Sequence, residues 1–419
     1  MLEQISFRRH GAGSPAERQL VLFSAGIAAR RRSMREEAGR LAVRVDWPRL
    51  AHTLRVRRLL APLGPRILEL AEGHADDGFA VEVEQAIDSA RRQGAFLQLV
   101  AVRTMAALAD AGIRSAALKG PILSEAIYGD VGRRWSGDID LLVNARQLNS
   151  AVEVVRTMGY GAPSDHVDRR GLPLLHFSLQ HQREMLPRLE LHWRVHWYEC
   201  DFAHQRLLPP AGHQPDRWRP APVDELAALL LFYARDGFID LRLATDLSAW
   251  WDTFGAELQP GALDELACRY PALRPALAAA TRTAERVVGL PAPARVKGAQ
   301  RLSLRGRVAV RLANPHPHAS NPQLYADASL IDGLLAPPGG LGAFARRQLF
   351  QPREVLKQRA QQTQSRRGTS RMGNLTRVLI RYGLAMTRLV RAPESVARDI
   401  ATDVSPERSD PRSTGLASD

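Results

Sequence analysis

Two carboxylates stand one residue apart at the start of an apolar run, Asp138 and Asp140 in "GDIDLLV", downstream of a Lys-Gly pair and two arginines in "ALKGPILSEAIYGDVGRRW". Side chains alternate along a strand, so a strand here puts both acids on one face and Ile139 and Leu141 on the other. Like charges on neighbouring pleats repel unless a cation lies between them. Magnesium takes oxygen ligands and is often held by one or two carboxylates plus substrate phosphates, which suits such a pair. The plain alternative is two solvated residues at the entrance of a strand, because Asp-x-Asp alone is short and common.

Three neighbours favour the metal reading. Lys119 and Gly120 form a turn between a strand and a helix, where free backbone N–H groups and the positive end of the helix dipole favour an anion such as a triphosphate. Arg134, just before the acids, can grip a phosphate with two hydrogen bonds. Glu190 in "LELHW" extends from a later strand on the face opposite Leu189 and Leu191, where a third carboxylate can meet the first two. Lysine occurs only at Lys119, Lys297 and Lys357 in this arginine-dominated chain, so a site that keeps lysine points to a need for a compact point charge.

"LKGPILSEAIYGD", "RWSGDIDLLV" and "LELHWRVHW" together resemble the uncharacterised nucleotidyltransferase family of the DNA polymerase β-like superfamily, which carries a Lys-Gly turn, an Arg-x-x-Gly-Asp-x-Asp strand and an acid-x-His-Trp strand. "VDWPRLAHTLRVRRLLAPL", "DLRLATDLSAWW" and "LFQPREVLKQRA" are similar to its flanking segments. The resemblance implies an α+β fold, with a small mixed β-sheet nucleotidyltransferase core flanked by N-terminal and C-terminal helical regions. It implies Asp138, Asp140 and Glu190 as catalytic residues and metal ligands, with Lys119, Gly120, Arg134, Ser136, Gly137 and His192 around the nucleotide. Two Mg²⁺ ions and an NTP, ATP by default, would serve in-line transfer of a nucleoside monophosphate to a hydroxyl of a small molecule, peptide or protein. The superfamily usually has Gly-Ser where this chain has Lys119-Gly120. It often has aspartate where this chain has Glu190, which reaches the metal by a longer arm or serves as the base.

Other residues admit two readings. His192 and His196 flank Arg194 at strand spacing beside Glu190, giving either a hydrogen-bonding partner for the acids or a zinc pair, while Trp193 and Trp197 fall on the core side. Arg242 and Asp246 stand four apart on an expected helix, as an ordinary ion pair or as a contact to the nucleotide. Cys200 and Cys268 are too few for a disulfide framework and are expected as buried apolar residues.

The elements that must position these groups follow from periodicity. Residues 1–112 read as a helical region, and Gly112 as its stop. Residues 113–215 form the expected core in the order strand, helix, strand, helix, strand, with "PILSEAIYG" a helix opened by Pro121 and "MLPRLELHWRVHW" the last strand. Residues 216–290 read as a helical region packing on that core, with helical periodicity in "ELAALLLFYARDGFIDLRLATDLSAWWDTF" and again from Leu263 to Val288. Residues 291–391 form a basic C-terminal region containing the amphipathic helix "NLTRVLIRYGLAMTRLVR", and 392–419 an expected disordered tail. The arginines of that helix, Arg377, Arg381, Arg388 and Arg391, face away from its apolar stripe, as a solvated face, an anionic-lipid contact or a docking surface for an acidic partner.

With 419 residues, 45% hydrophobic and 24% charged, the chain is not disordered throughout. No apolar run reaches the roughly 18 to 20 residues that span a bilayer, and no signal peptide is legible, so a cytoplasmic protein is expected. The formal charge of +14 admits nucleic-acid binding, but the excess sits in the C-terminal third with little aromatic interleaving. A nucleotide-binding scaffold of the same fold without catalysis is the other alternative, which loss of any of the three acids would favour.

Overall fold

In the four-stranded sheet, apolar residues alternate with polar ones, and that alternation decides which side faces the chemistry. The computed structural model describes residues 14–163, 175–183, 185–213, 218–296, 302–313, 328, 330–349 and 380. Six helices come first: α1 (Pro15–Ser24), α2 (Ala28–Ser33), α3 (Arg35–Ala42), α4 (Trp47–Val56), α5 (Leu60–Ala71) and the long α6 (Asp77–Asp110). Then follow β1 (Ser115–Ala117), α7 (Pro121–Tyr128), β2 (Asp138–Val143), α8 (Leu148–Thr157), β3 (His176–Leu179) and β4 (Arg188–His192). The remaining helices are α9 (Pro222–Arg235), α10 (Leu241–Phe254), α11 (Ala262–Arg269), α12 (Arg274–Val288), α13 (Leu304–Leu312) and α14 (Leu341–Leu349). The fold is α+β, mostly helical around a small mixed sheet.

The sheet order is β1-β2-β4-β3, with β2 and β4 parallel at the centre and both edges antiparallel. Ile139, Leu141, Val143, Phe177, Leu179, Leu189 and Leu191 all point to one side, where they pack with Leu97, Ala101, Met105 and Leu108 of α6 and with Leu148, Val152 and Val155 of α8. Burying side chains of this size contributes about 1.5–3 kcal/mol each, and a one-residue slip in register would turn every one of them to the wrong side. A larger core joins the N-terminal helices, Ala116 and Leu142 of the sheet, and α9 to α12, so it draws on residues from both sides of positions 112 and 215.

Several expectations are corrected. A fourth strand, β3, lies between α8 and β4. β4 ends at His192, so Arg194 and His196 do not extend it, and His196 meets Glu199 in an isolated bridge. Trp193 is half-buried but packs against the core under the sheet, and Trp197 is half-buried. The helical stretch after the core is helical as expected, carried by α9 and α10 and divided where Gly237 and Phe238 adopt positive φ of 70° and 58° and a Cβ on Gly237 would lie 2.5 Å from the Ala328 Cα. Cys200 is half-buried and Cys268 exposed, both as free thiols. The basic helix expected at 374–391 lies outside the described residues except for Ile380.

Candidate active site

The parallel register makes Asp140 and Glu190 direct partners across β2 and β4, and Asp138 the partner of Arg188. Antiparallel pairing then sets Ser178 of β3 against Glu190, and His176 against His192. Because the Leu and Ile positions between them face the α6–α8 core, Asp138, Asp140, Glu190, His192 and His176 share the opposite face. Each acid there meets a cation or an imidazole. Arg188 Nη2 lies 2.9 Å from Asp138 Oδ2 and 3.2 Å from Glu190 Oε1. Lys119 Nζ lies 3.4 Å from Asp140 Oδ2, and Asp140 Oδ1 accepts from His192 Nε2 at 2.9 Å. Glu190 Oε2 is 3.4 Å from His192 Nε2 and 3.7 Å from His176 Nε2.

Lys119 reaches this face because the chain reverses at Gly120, which caps the N-terminus of α7 with φ 82° and ψ −148°. That conformation is essentially confined to glycine, so no other residue holds the turn without strain. Pro121 fills the first helical position, where its missing N–H costs nothing. A Cβ on Gly120 would lie 3.9 Å from Ser136 Oγ, which brings the Lys-Gly turn and the segment before Asp138 together. The Lys119 ammonium also sits 4.6 Å from the centre of the Phe232 ring, and the Arg235 guanidinium 4.8 Å from the same ring.

The arginine before the acids points elsewhere. Arg134 Nε donates to Asp246 Oδ2 at 2.8 Å and its Nη1 to Ser136 Oγ at 2.9 Å, with only 4% of the arginine side chain and none of the aspartate exposed. Tyr128 Oη donates to the other Asp246 oxygen at 3.0 Å. This buried network ties the loop carrying Arg134 and Ser136 to α7 and α10. Two glycines allow the same loop to press on α6, since a Cβ on Gly132 would lie 2.7 Å from Ile87 O and one on Gly94 would lie 2.9 Å from Val131 O. Asp130 locks the contact by accepting from the Gly132 N–H and pairing with Arg91. Gly137 is needed for another close approach, with Trp135 ring atoms 2.7 Å from a Cβ built there. Arg58 stacks on Trp135, 3.5 Å from the ring centre.

Electrostatics follows from these contacts. Burial alone would raise the Asp140 carboxyl, but Lys119, the His192 hydrogen bond and Arg235 hold it well below the usual carboxylate range. Glu190 is likewise penalised by burial yet held low by His192 and His176. Burial and the neighbouring His192 push His176 down to about 4, so its imidazole is neutral at pH 7. Burial and then the nearby Arg242 push the Arg58 guanidinium down, with the Asp138 carboxylate opposing them.

The structure therefore brings together Asp138, Asp140, Glu190, His192 and Lys119, with Gly120 and Ser136 beside them. Arg134 is committed to Asp246 and Ser136. The expected Arg242–Asp246 pair does not form: Arg242 pairs with Asp240 at 3.1 Å, because Asp246 is taken by Arg134. Sequence reasoning missed His176, Arg188, Arg58 and Arg235. The alternation of polar and apolar residues in "HFSL" was a signal for the strand carrying His176.

The sheet thus carries two acids on one strand and a third on its parallel neighbour. The chain belongs to the uncharacterised nucleotidyltransferase family, whose model matches residues 44–289, from the end of α3 to the cap of α12. Nucleotidyl transfer is the general activity that this membership supports. No curated protein and no solved structure matches the chain.

Proposed function

We propose that the chain transfers a nucleoside monophosphate, AMP from ATP, to a hydroxyl of a small molecule, peptide or protein. The observation that carries this reading is the single Arg188 nitrogen lying between Asp138 and Glu190, which marks a place on the sheet built for positive charge between carboxylates. The donor set, three carboxylates on one face, fits Mg²⁺, which prefers oxygen. Asp138, Asp140 and Glu190 would hold the ions, and bound Mg²⁺ would supply charge stabilisation at the transferring phosphate and a lowered pKa for the acceptor hydroxyl.

The chain's own residues do the rest. Lys119 presents a point charge beside Asp140, held there by a turn that Gly120 alone permits, and is suited to the triphosphate. Arg58 and Arg188 neighbour Asp138 and would take the phosphate contacts for which Arg134 is not free. Arg188 is half-exposed and can swing from the acids to a phosphate when cations enter. His192 fixes the Asp140 carboxylate, and Ser136 and Gly137 support the approach of the loop to the strand.

The test is release of pyrophosphate from each α-labelled NTP by the purified protein with Mg²⁺, scored for ATP preference and for label transferred to cell-extract acceptors. Asp138→Asn and Asp140→Asn should abolish release, and survival of activity in both would overturn the metal assignment. Magnesium-dependent ATP binding without any release would favour the non-catalytic scaffold.

A further inference from the structure

Beside the acids, on the β3 side of the same face, lies a cluster of different chemistry. One donor atom from each of His176, Glu190 and His192 lies within 4.8 Å of the other two. The sheet enforces this, because His176 and His192 are direct antiparallel partners and Glu190 precedes His192 by two residues on the same side of β4. The two rings sit with centroids 4.7 Å apart. We propose that His176, Glu190 and His192 form a binding site for a divalent transition ion of the zinc and cobalt class.

Two imidazoles and one carboxylate make a borderline donor set, which favours such ions over Mg²⁺, whose preferred ligands are oxygen. Donors held at about 2.0–2.2 Å from one tetrahedral ion lie about 3.3–3.6 Å apart, and Glu190 Oε2 already stands 3.4 and 3.7 Å from the two imidazole nitrogens. Asp140 Oδ1, 2.9 Å from His192 Nε2, stands ready as a fourth donor once that nitrogen gives up its hydrogen bond to the ion. On both rings Nε2 is the nitrogen nearest the Glu190 carboxylate, at 3.7 Å for His176 and 3.4 Å for His192, and so the one placed to take the ion. The site shares Glu190 with the carboxylate set but not Asp138, and binding there requires neither nucleotide nor transfer.

The experiment uses the full-length chain, stripped of metal by a chelator and titrated with Co²⁺ in the absence of nucleotide. One equivalent should bind, with the visible absorption of a low-coordinate nitrogen and oxygen site, and excess Mg²⁺ should not displace it. His176→Gln should weaken binding by about ten-fold or more. Asp138→Asn, which should abolish transfer, should leave the cobalt signal within about two-fold, so failure of the transfer reading and failure of this one are told apart. X-ray absorption of the zinc-loaded wild type, which depends on no variant folding, should show two imidazoles around the metal. An oxygen-only shell, equal binding by His176→Gln, or loss of the site in Asp138→Asn would each overturn the proposal.

Discussion

Arg188 holds Asp138 and Glu190 through one nitrogen, Nη2, at 2.9 and 3.2 Å, and so occupies the space between acids on adjacent strands. A guanidinium in that position competes with any metal cation for the same oxygens. Arg188→Gln should therefore tighten Mn²⁺ binding to the nucleotide-free protein, by about five-fold or ~1 kcal/mol for a half-exposed pair. Calorimetric titration checks this, and unchanged or weaker Mn²⁺ binding would separate Arg188 from the metal position.

Asp246 carries the buried end of the network that holds Arg134. Removing one member of a buried pair leaves the other charge uncompensated, at a cost of about 3–5 kcal/mol. Asp246→Asn should lower the denaturation midpoint by that equivalent. Arg134→Met should be at least as damaging to stability as to ATP affinity. A variant of Arg134 that melts like the wild type but fails to bind ATP would restore it to the phosphate.

Gly120 is held at φ 82° and ψ −148°, where a Cβ is strained although the space around it is open. Gly120→Ala should cost about 1–3 kcal/mol of stability, and by shifting the turn it should displace Lys119 from Asp140. Loss of ATP binding together with that drop is expected. A neutral substitution would show that the turn relaxes without consequence.

Glu199 gives a pH prediction away from the acids. Burial pushes its carboxyl up to about 7, only partly offset by the Phe202 N–H that it accepts. A carboxyl with a raised folded pKa favours the folded state in its protonated form. Stability from this group is thus fully present below about pH 4.5 and is lost as pH rises through about 7. Glu199→Gln should stabilise the protein at pH 8 by about 1–2 kcal/mol, allowing for partial exposure, and should flatten the dependence between pH 5 and 8. Denaturant melts of both proteins across that range measure it.

Local patterns made the centre of the sheet legible. The Lys-Gly turn, the Pro121 helix start and the acid-bearing strand each follow from a few adjacent residues, and β1, α7 and β2 lie where those residues imply. Glu190 was readable because Leu189 and Leu191 fix its face. What local pattern could not carry was choice of partner. Arg134 looks like a phosphate ligand beside the acids, but the carboxylate that claims it stands 112 residues later, and only tertiary packing reveals the pair. His176 lies on a four-residue strand whose alternation is readable in "HFSL", but its pairing with His192 comes only from the tertiary fold. In "YGDVGRRW", Gly132 is explained by the closeness of α6, a contact that the sequence does not announce.

The 34-residue α6, about 51 Å long at 1.5 Å per residue, contributes Phe79 and Val83 to the larger core and Leu97, Met105 and Leu108 to the core under the sheet. A rod anchored at both ends in different cores cannot melt in one half without loosening the packing of the other. Amide protons in the middle of α6 and in β2 should therefore exchange with solvent through one shared opening event, and a protease should not release the strands that bear the acids as a stable fragment.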